Sequence, residues 1–207
     1  MATILRTWSY RYPWLYDRIS ELAALAVGGE ARLRRLPFTD LAISPSWTVL
    51  DLCCGCGQAT AYLVQQFDAV TGLDASPRSL DRARHRVPQA EYVQGFAEEM
   101  PLPDGHFDLV HTSAALHEMD SDRLGQIVEE VYRVLKPGGY WVFVDLHPPT
   151  NPLFWPALSV FMVLFETETA WSFIYTDVAK LLTTKGFNLK QQRYYAGGSL
   201  QVIQAQK

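Results

Sequence analysis

From Trp47 onward the chain alternates short apolar runs with longer amphipathic stretches. Runs carrying Val, Leu, Tyr and Phe at Thr48–Leu52, Ala69–Leu73, Ala90–Gln94, Phe107–His111 and Tyr140–Asp145 predict strands, each bounded by turn residues. Helical spacing between them predicts helices over Gln58–Phe67, from Ser76 onward with Pro77 in a tolerated first-turn place, and over Ser121–Leu135. The last of these is expected to stop at K-P-G-G, residues 136–139. Upstream, Tyr16–Val27 has helical periodicity and ends at Gly28-Gly29. Strands alternating with helices of this length predict a parallel, doubly wound sheet with helices on both faces.

After Asp145 the rhythm breaks. An apolar stretch, Asn151–Phe165, precedes a helix over Thr176–Lys185 ending at Gly186. Two last strands, Leu189–Tyr195 and Ser199–Gln206, are joined across Gly197-Gly198, a connection that favours an antiparallel hairpin. The expected fold is therefore α/β, with a seven-stranded, mostly parallel sheet closed by an antiparallel C-terminal edge strand. No linker or repeat divides the chain, so a single domain is expected. Its parts are an N-terminal helical arm (1–46), a core (47–145), an apolar insertion (146–175) and a C-terminal helix and hairpin (176–207).

Composition narrows the function. With 207 residues, 48% of them hydrophobic, the chain can bury a sizeable core. Its 18 Lys and Arg against 22 Asp and Glu give a net charge of −4, which argues against nucleic acid as the partner. Cys53, Cys54 and Cys56 lie too close in sequence for unstrained disulfides with one another, so a reducing, cytoplasmic setting is expected. With no C-x-x-C pair and no nearby His, they do not make a metal site. The N-terminus lacks the uninterrupted apolar segment of a signal peptide. The most apolar stretch, Leu153–Phe165, is short of a bilayer span and contains Pro156.

The chemistry concentrates at V-L-D-L-C-C-G-C-G, residues 49–57: a strand closed by Asp51, then a glycine-bearing turn. A second acid, Asp74, closes V-T-G-L-D. A carboxylate at the tip of the second strand can accept hydrogen bonds from both hydroxyls of a ribose. Gly55 and Gly57 would let the backbone approach a ligand closely. A plain tight turn would also use those glycines, and Asp74 could serve the helix start at Ser76-Pro77. Acid, glycine turn and second acid in this order point instead to an adenosine-containing cofactor.

With A-E-E-M-P-L-P-D-G-H-F-D-L-V and Y-R-V-L-K-P-G-G-Y downstream, these motifs resemble the class I S-adenosylmethionine-dependent methyltransferases, from Tyr16 to the C-terminus. Within that superfamily D-L-C-C-G, the upstream Y-D-R-I-S and the late A-G-G-S-L are similar to the ubiquinone/menaquinone C-methyltransferase group, its demethylphylloquinone branch in particular. The resemblance implies a Rossmann-like fold and a site for S-adenosylmethionine, released as S-adenosylhomocysteine, without a metal. Onto this sequence it carries cofactor roles for Tyr16, Asp51, Cys53, Gly55, Gly57, Asp74, Ala75, Phe96, Ala97, Glu98, Thr112 and Ser113. Cys53 stands where the family has its first loop glycine, so its backbone is expected to avoid glycine-type conformations. Phe96 stands where the family often has an acid for adenine. Packing by Phe96, main-chain groups around Ala97, or Glu98 would take that part. Thr112 and Ser113 follow the fourth strand, where the reactive methyl should sit, unless they are ordinary loop residues.

The resemblance also implies a small hydrophobic acceptor, a prenylated quinol methylated at ring carbon. Such an acceptor must lose a proton, and a neutral imidazole suits that task near pH 7. His117, in S-A-A-L-H-E-M, and His147, in V-D-L-H-P-P, both follow strand ends and are the candidate bases; His147 could equally fill the turn before Pro148-Pro149. Trp8, Tyr10, Tyr12, Trp14 and Tyr16 in the arm, with Phe154, Trp155, Phe161, Met162 and Phe165 in the insertion, would form a greasy lid, a plain core, or a peripheral membrane contact. Two other functions compete. A nicotinamide oxidoreductase expects G-x-G-x-x-G/A, and G-C-G-Q-A-T ends in Thr60 instead. A non-catalytic module would keep the cofactor fold but show no turnover.

Overall fold

A computed structural model describes residues 24–207. The expected arm helix therefore lies mostly outside the described residues, and its turns at 26–28 lead to a short helix, α1 (Glu30–Arg35). The described strands are β1 (Thr48–Leu52), β2 (Ala69–Asp74), β3 (Glu91–Gln94), β4 (Phe107–Ser113), β5 (Leu135–Leu146), β6 (Asn188–Tyr195) and β7 (Leu200–Gln206). Between them run α2 (Thr60–Leu63), α3 (Pro77–Arg86), α4 (Ser121–Val134), α5 (Trp155–Phe165), α6 (Glu168–Ile174) and α7 (Val178–Thr184).

All seven strands form one sheet in the order β3-β2-β1-β4-β5-β7-β6. The first five pair in parallel, as strand–helix–strand crossovers require. β7 is antiparallel both to β5 and to β6, so the antiparallel strand sits one place in from the rim and β6 is outermost. Strand order reverses at β1, whose neighbours are β2 and β4. Ligands of open α/β sheets bind at such a switch point, outside the carboxyl ends of the strands.

Alternating apolar residues bury both faces. On one, Leu50, Phe143, Trp141 and Ile203 pack under Ile127 and Val131 of α4 and Leu182 of α7. On the other, Val49, Leu109 and Val142 meet Phe38 and Leu63 of α2. Two elements depart from their expected bounds. Regular α-helix in α2 is confined to Thr60–Leu63, because Gln65 and Gln66 N–H bond three residues back, to Tyr62 and Leu63. K-P-G-G does not end in a free turn but opens β5. Gly138 N–H and Lys207 N–H exchange bonds with Lys207 and Gly139 carbonyls, and a Cβ on Gly139 would come within 3.1 Å of the Asp108 carbonyl.

The insertion folds as α5 and α6. Leu158 and Met162 of α5 pack on Ala170 and Ile174 of α6, while Leu153, Val160 and Val163 face outward. Among the described residues no helix is long and apolar enough to cross a membrane. The hairpin turn, Ala196–Gly198, has three consecutive positive-φ residues, and a Cβ on Gly198 would strike the Thr150 backbone nitrogen at 2.3 Å.

Candidate active site

Asp51 ends β1 fully buried, a position an isolated carboxylate could not hold. It is matched on both oxygens: the Thr60 hydroxyl donates at 2.6 Å and His111 Nδ1 lies 2.9 Å away. His111 is its register partner on β4, and Phe38 stacks on the imidazole with ring centroids 5.8 Å apart. Asp51 thereby ties the start of α2 to the sheet, so that it orients the loop rather than facing outward.

The turn that follows is left-handed. Cys53 has φ 57°, against the expectation that it would avoid glycine-type backbone. The cause is the pairing on either side: before it Leu52 is in register with Leu73 of β2, and after it Cys54 N–H reaches Leu73 O at 3.0 Å while Gly57 N–H closes on Cys54 O at 3.0 Å. Fixed from both ends, the residue accepts a cost of about 1–2 kcal/mol for the left-handed well. Gly57, at φ 80°, has its demand set by protein packing, since a Cβ there would sit 3.3 Å from Ala83 of α3. At Gly55, φ 55°, a Cβ would meet nothing within 4 Å, so this is the open side of the turn.

Asp74, at the tip of β2, divides its carboxylate between two turns: Gly55 N–H of the glycine turn donates to one oxygen at 2.9 Å and Ser76 N–H, at the start of α3, to the other at 2.9 Å. An ionised carboxylate offers about four acceptor sites, so two bonds leave room for two more. The helix itself is capped by Ser76, whose hydroxyl accepts from Ser79 N–H at 3.2 Å. Beyond β3, Phe96 is 62% exposed, Ala97 is buried, and Glu98 faces Arg123 at 3.6 Å. Ala75 follows Asp74 directly in the turn into α3.

The corner is electrostatically negative. Burial and then Asp74, Asp51, Glu118 and Glu98 push the Cys53 thiol far up, and burial with Asp51 and Asp74 does the same to Cys54. Both thiols stay protonated, and a cationic guest would be favoured beside them. This donor set suits a sulfonium nucleoside: a carboxylate for a sugar diol, an open glycine turn and a field that attracts positive charge.

At the tip of β4, Thr112 and Ser113 diverge. Thr112 is buried and its hydroxyl accepts from Trp141 Nε1 at 3.1 Å, so its side chain serves the core. Ser113 receives Arg34 Nη1 at 3.2 Å, and Ala114 follows in the left-handed region at φ 51°. Tyr16 lies outside the described residues.

His117 is buried with Asp145 Oδ1 2.5 Å from Nδ1 and Glu166 Oε2 3.4 Å from Nε2. Burial works to lower its pKa, but Asp145 and then Glu166 outweigh it and hold the imidazole well above 6.5. Its surroundings thus favour an imidazolium, not the neutral base expected of it. It links β5 to the α5–α6 junction. His147 differs: its Nδ1 is 2.9 Å from the Gly198 carbonyl, which can only accept, so in the neutral ring Nε2 keeps the lone pair. His147 lines a groove of about 720 Å³ with Ile174, Tyr175, Tyr194 and Gln201.

Asp145, His111, Thr60, Glu166 and Arg34 were not singled out from sequence. Asp145 carried a signal, since W-V-F-V-D closes an apolar run with an acid as V-L-D-L does. The others are joined by register and tertiary packing alone.

Sheet order and acidic switch point define a nucleoside-cofactor α/β protein with the strand arrangement of methyl-transfer enzymes. Residues 49–139 match the methyltransferase domain family. An uncharacterized methyltransferase of Synechocystis sp. is 62% identical over 99% of this chain and 97% of its own. A demethylmenaquinone methyltransferase of Lactobacillus johnsonii is 30% identical over 92% of this chain and 75% of its own. The crystal structure of a TehB-like S-adenosylmethionine-dependent methyltransferase from Corynebacterium glutamicum superposes with a TM-score of 0.68 at 19% identity, covering 97% of this chain and 98% of that one, a likeness of fold. The chain belongs to the class I S-adenosylmethionine-dependent methyltransferases.

Proposed function

We propose that the protein methylates a small hydrophobic acceptor, a prenylated quinol, at a ring carbon. The observation that carries the reading is the Asp74 cradle at the carboxyl end of β2, with His147 following the carboxyl end of β5 in the same sheet and bordering a groove that runs out along β6 and α7. The similarity to a demethylmenaquinone methyltransferase supports the acceptor class.

When bound, S-adenosylmethionine supplies a methyl carbon made electrophilic by its sulfonium. Asp74 would hold the ribose hydroxyls on its remaining acceptor sites, while Gly55 and Cys53 would line the tail. Phe96 would cover the adenine, main-chain groups at Ala75 and Ala97 would line its edge, and Glu98 would be a second polar contact. His147 accepts the acceptor's hydroxyl proton on Nε2, so that the oxyanion drives electron density onto the attacking carbon; once that carbon carries the methyl group, its ring hydrogen leaves as a proton and the oxygen is reprotonated, restoring the aromatic quinol. His117 positions the α5–α6 cap as a cation. The outward Leu153, Val160 and Val163 form an apolar shoulder beside a lipid surface, through which a prenylated acceptor reaches the groove from the cytoplasmic side. Alignment within about 3–3.5 Å of the methyl carbon supplies much of the rate.

The test is incubation of the protein with S-adenosylmethionine and a reduced prenylated naphthoquinone lacking its ring methyl, followed by mass spectrometry and NMR of the product. A ring-methylated product that falls about hundredfold in rate with His147→Gln, with S-adenosylhomocysteine affinity retained, is expected. Cofactor binding without turnover on quinols, phenols or lipids would favour a binding module instead.

A further inference from the structure

Arg34 sits oddly for a surface helix residue. It is carried by α1, yet its side chain is 10% exposed, and its Nε is buried without a hydrogen-bond partner among the described residues. Its other bonds are long: Nη1 to Ser113 Oγ at 3.2 Å and Nη2 to Glu30 Oε1 at 3.2 Å. A buried guanidinium donor left unmatched costs free energy, so such a group calls for a partner: water, an ion or a ligand.

The position fits one particular anion. Asp74 marks the β2 tip and Ser113 the β4 tip, with β1 between them. Two strand spacings separate those tips, about 10 Å across the sheet. A nucleoside held by its sugar at Asp74 and extended over the glycine turn of β1 places the end of an amino-acid tail at β4. That tail ends in an α-ammonium and an α-carboxylate. The four carboxylates that act on Cys53 favour the sulfonium and the ammonium but repel the carboxylate, which therefore needs a cation of its own.

Resting on the family's cofactor, we infer that Arg34 is the anion-recognition residue of this site, its guanidinium taking the α-carboxylate of the cofactor's amino-acid tail in place of the Glu30 carboxylate while Nη1 stays on Ser113. The side-on edge of the planar fork, Nε with Nη2, then faces the two carboxylate oxygens, which matches the unmatched donor.

Calorimetry with two ligands that differ in this group alone tests it: S-adenosylhomocysteine and its decarboxylated analogue, S-adenosyl-3-thiopropylamine. The native protein is expected to favour the carboxylate by about thirtyfold, and Arg34→Gln to reduce that preference below about threefold. Arg34→Lys should keep part of it. Equal binding of both ligands by the native protein, which needs no variant, would overturn the inference, as would an unchanged preference in Arg34→Gln. Equal weakening of both ligands by Arg34→Gln would assign the residue to structure alone. If the native protein binds neither ligand, the cofactor reading fails with it; if it binds both but ignores the carboxylate, Arg34 alone is wrong.

Discussion

Three acids close three apolar strands, and each is given its task by what donates to it. Asp51 is consumed by Thr60 and His111, Asp145 by His117 and the Leu116 and Leu146 N–H groups, and Asp74 by two backbone N–H groups that leave it acceptor capacity. All three were visible in sequence as an acid ending a hydrophobic run. Which one faces a ligand was not, because that depends on neighbours from other strands. Thr60→Val removes one donor from a buried carboxylate while keeping the shape. It is expected to cost about 2 kcal/mol in chemical denaturation, against near-zero change for the exposed Ser46→Ala. Cys53→Gly relieves a left-handed φ but gives up buried side-chain contacts and frees the unfolded chain. Its stability should stay within about 1 kcal/mol of native in chemical denaturation.

Elements were legible where periodicity was strong and capping residues explicit. α3 begins at Pro77 behind the Ser76 cap, and α4 begins at Ser121 behind Asp120, whose carboxylate accepts from Arg123 N–H at 2.9 Å. α6 was not legible, since E-T-A-W-S-F-I is short and its apolar face is defined by what it covers: Phe173 meets His117 edge-on at 6.4 Å. The Asp145–His117–Glu166 chain is what fastens this cap. An imidazole whose folded pKa is raised contributes stability that is complete below its unfolded value near 6.5 and is lost as pH rises through the higher folded value. Thermal unfolding followed from pH 6 upward should therefore show the native midpoint falling across that alkaline range, whereas His117→Gln should start lower and stay flatter. An equally steep fall in the variant would remove the cationic link.

At the scale of the whole molecule, a parallel sheet was implied by the strand–helix rhythm and an antiparallel closure by the two-glycine hairpin. Strand order and the exact place of the antiparallel strand were not, because a hairpin can present either arm to β5. Here β7 takes it through seven paired positions from Tyr140↔Gln206 to Leu146↔Leu200, and β6 is left outside. That choice sets the hairpin turn against the segment following His147, with Asn151 N–H on Gly197 O at 2.9 Å. Gly198→Ala, at φ 93° and 2.3 Å from a backbone nitrogen, should destabilise the fold by about 3 kcal/mol in denaturant titration, while the remaining folded protein keeps its affinity at the distant Asp74 corner.

That corner carries the functional reading, and calorimetric titration with S-adenosylhomocysteine addresses it directly. The native chain should bind one equivalent, and Asp74→Ala, with its thermal midpoint little changed, should bind well over tenfold more weakly. Retained affinity in Asp74→Ala, or no binding by the native chain, would contradict it.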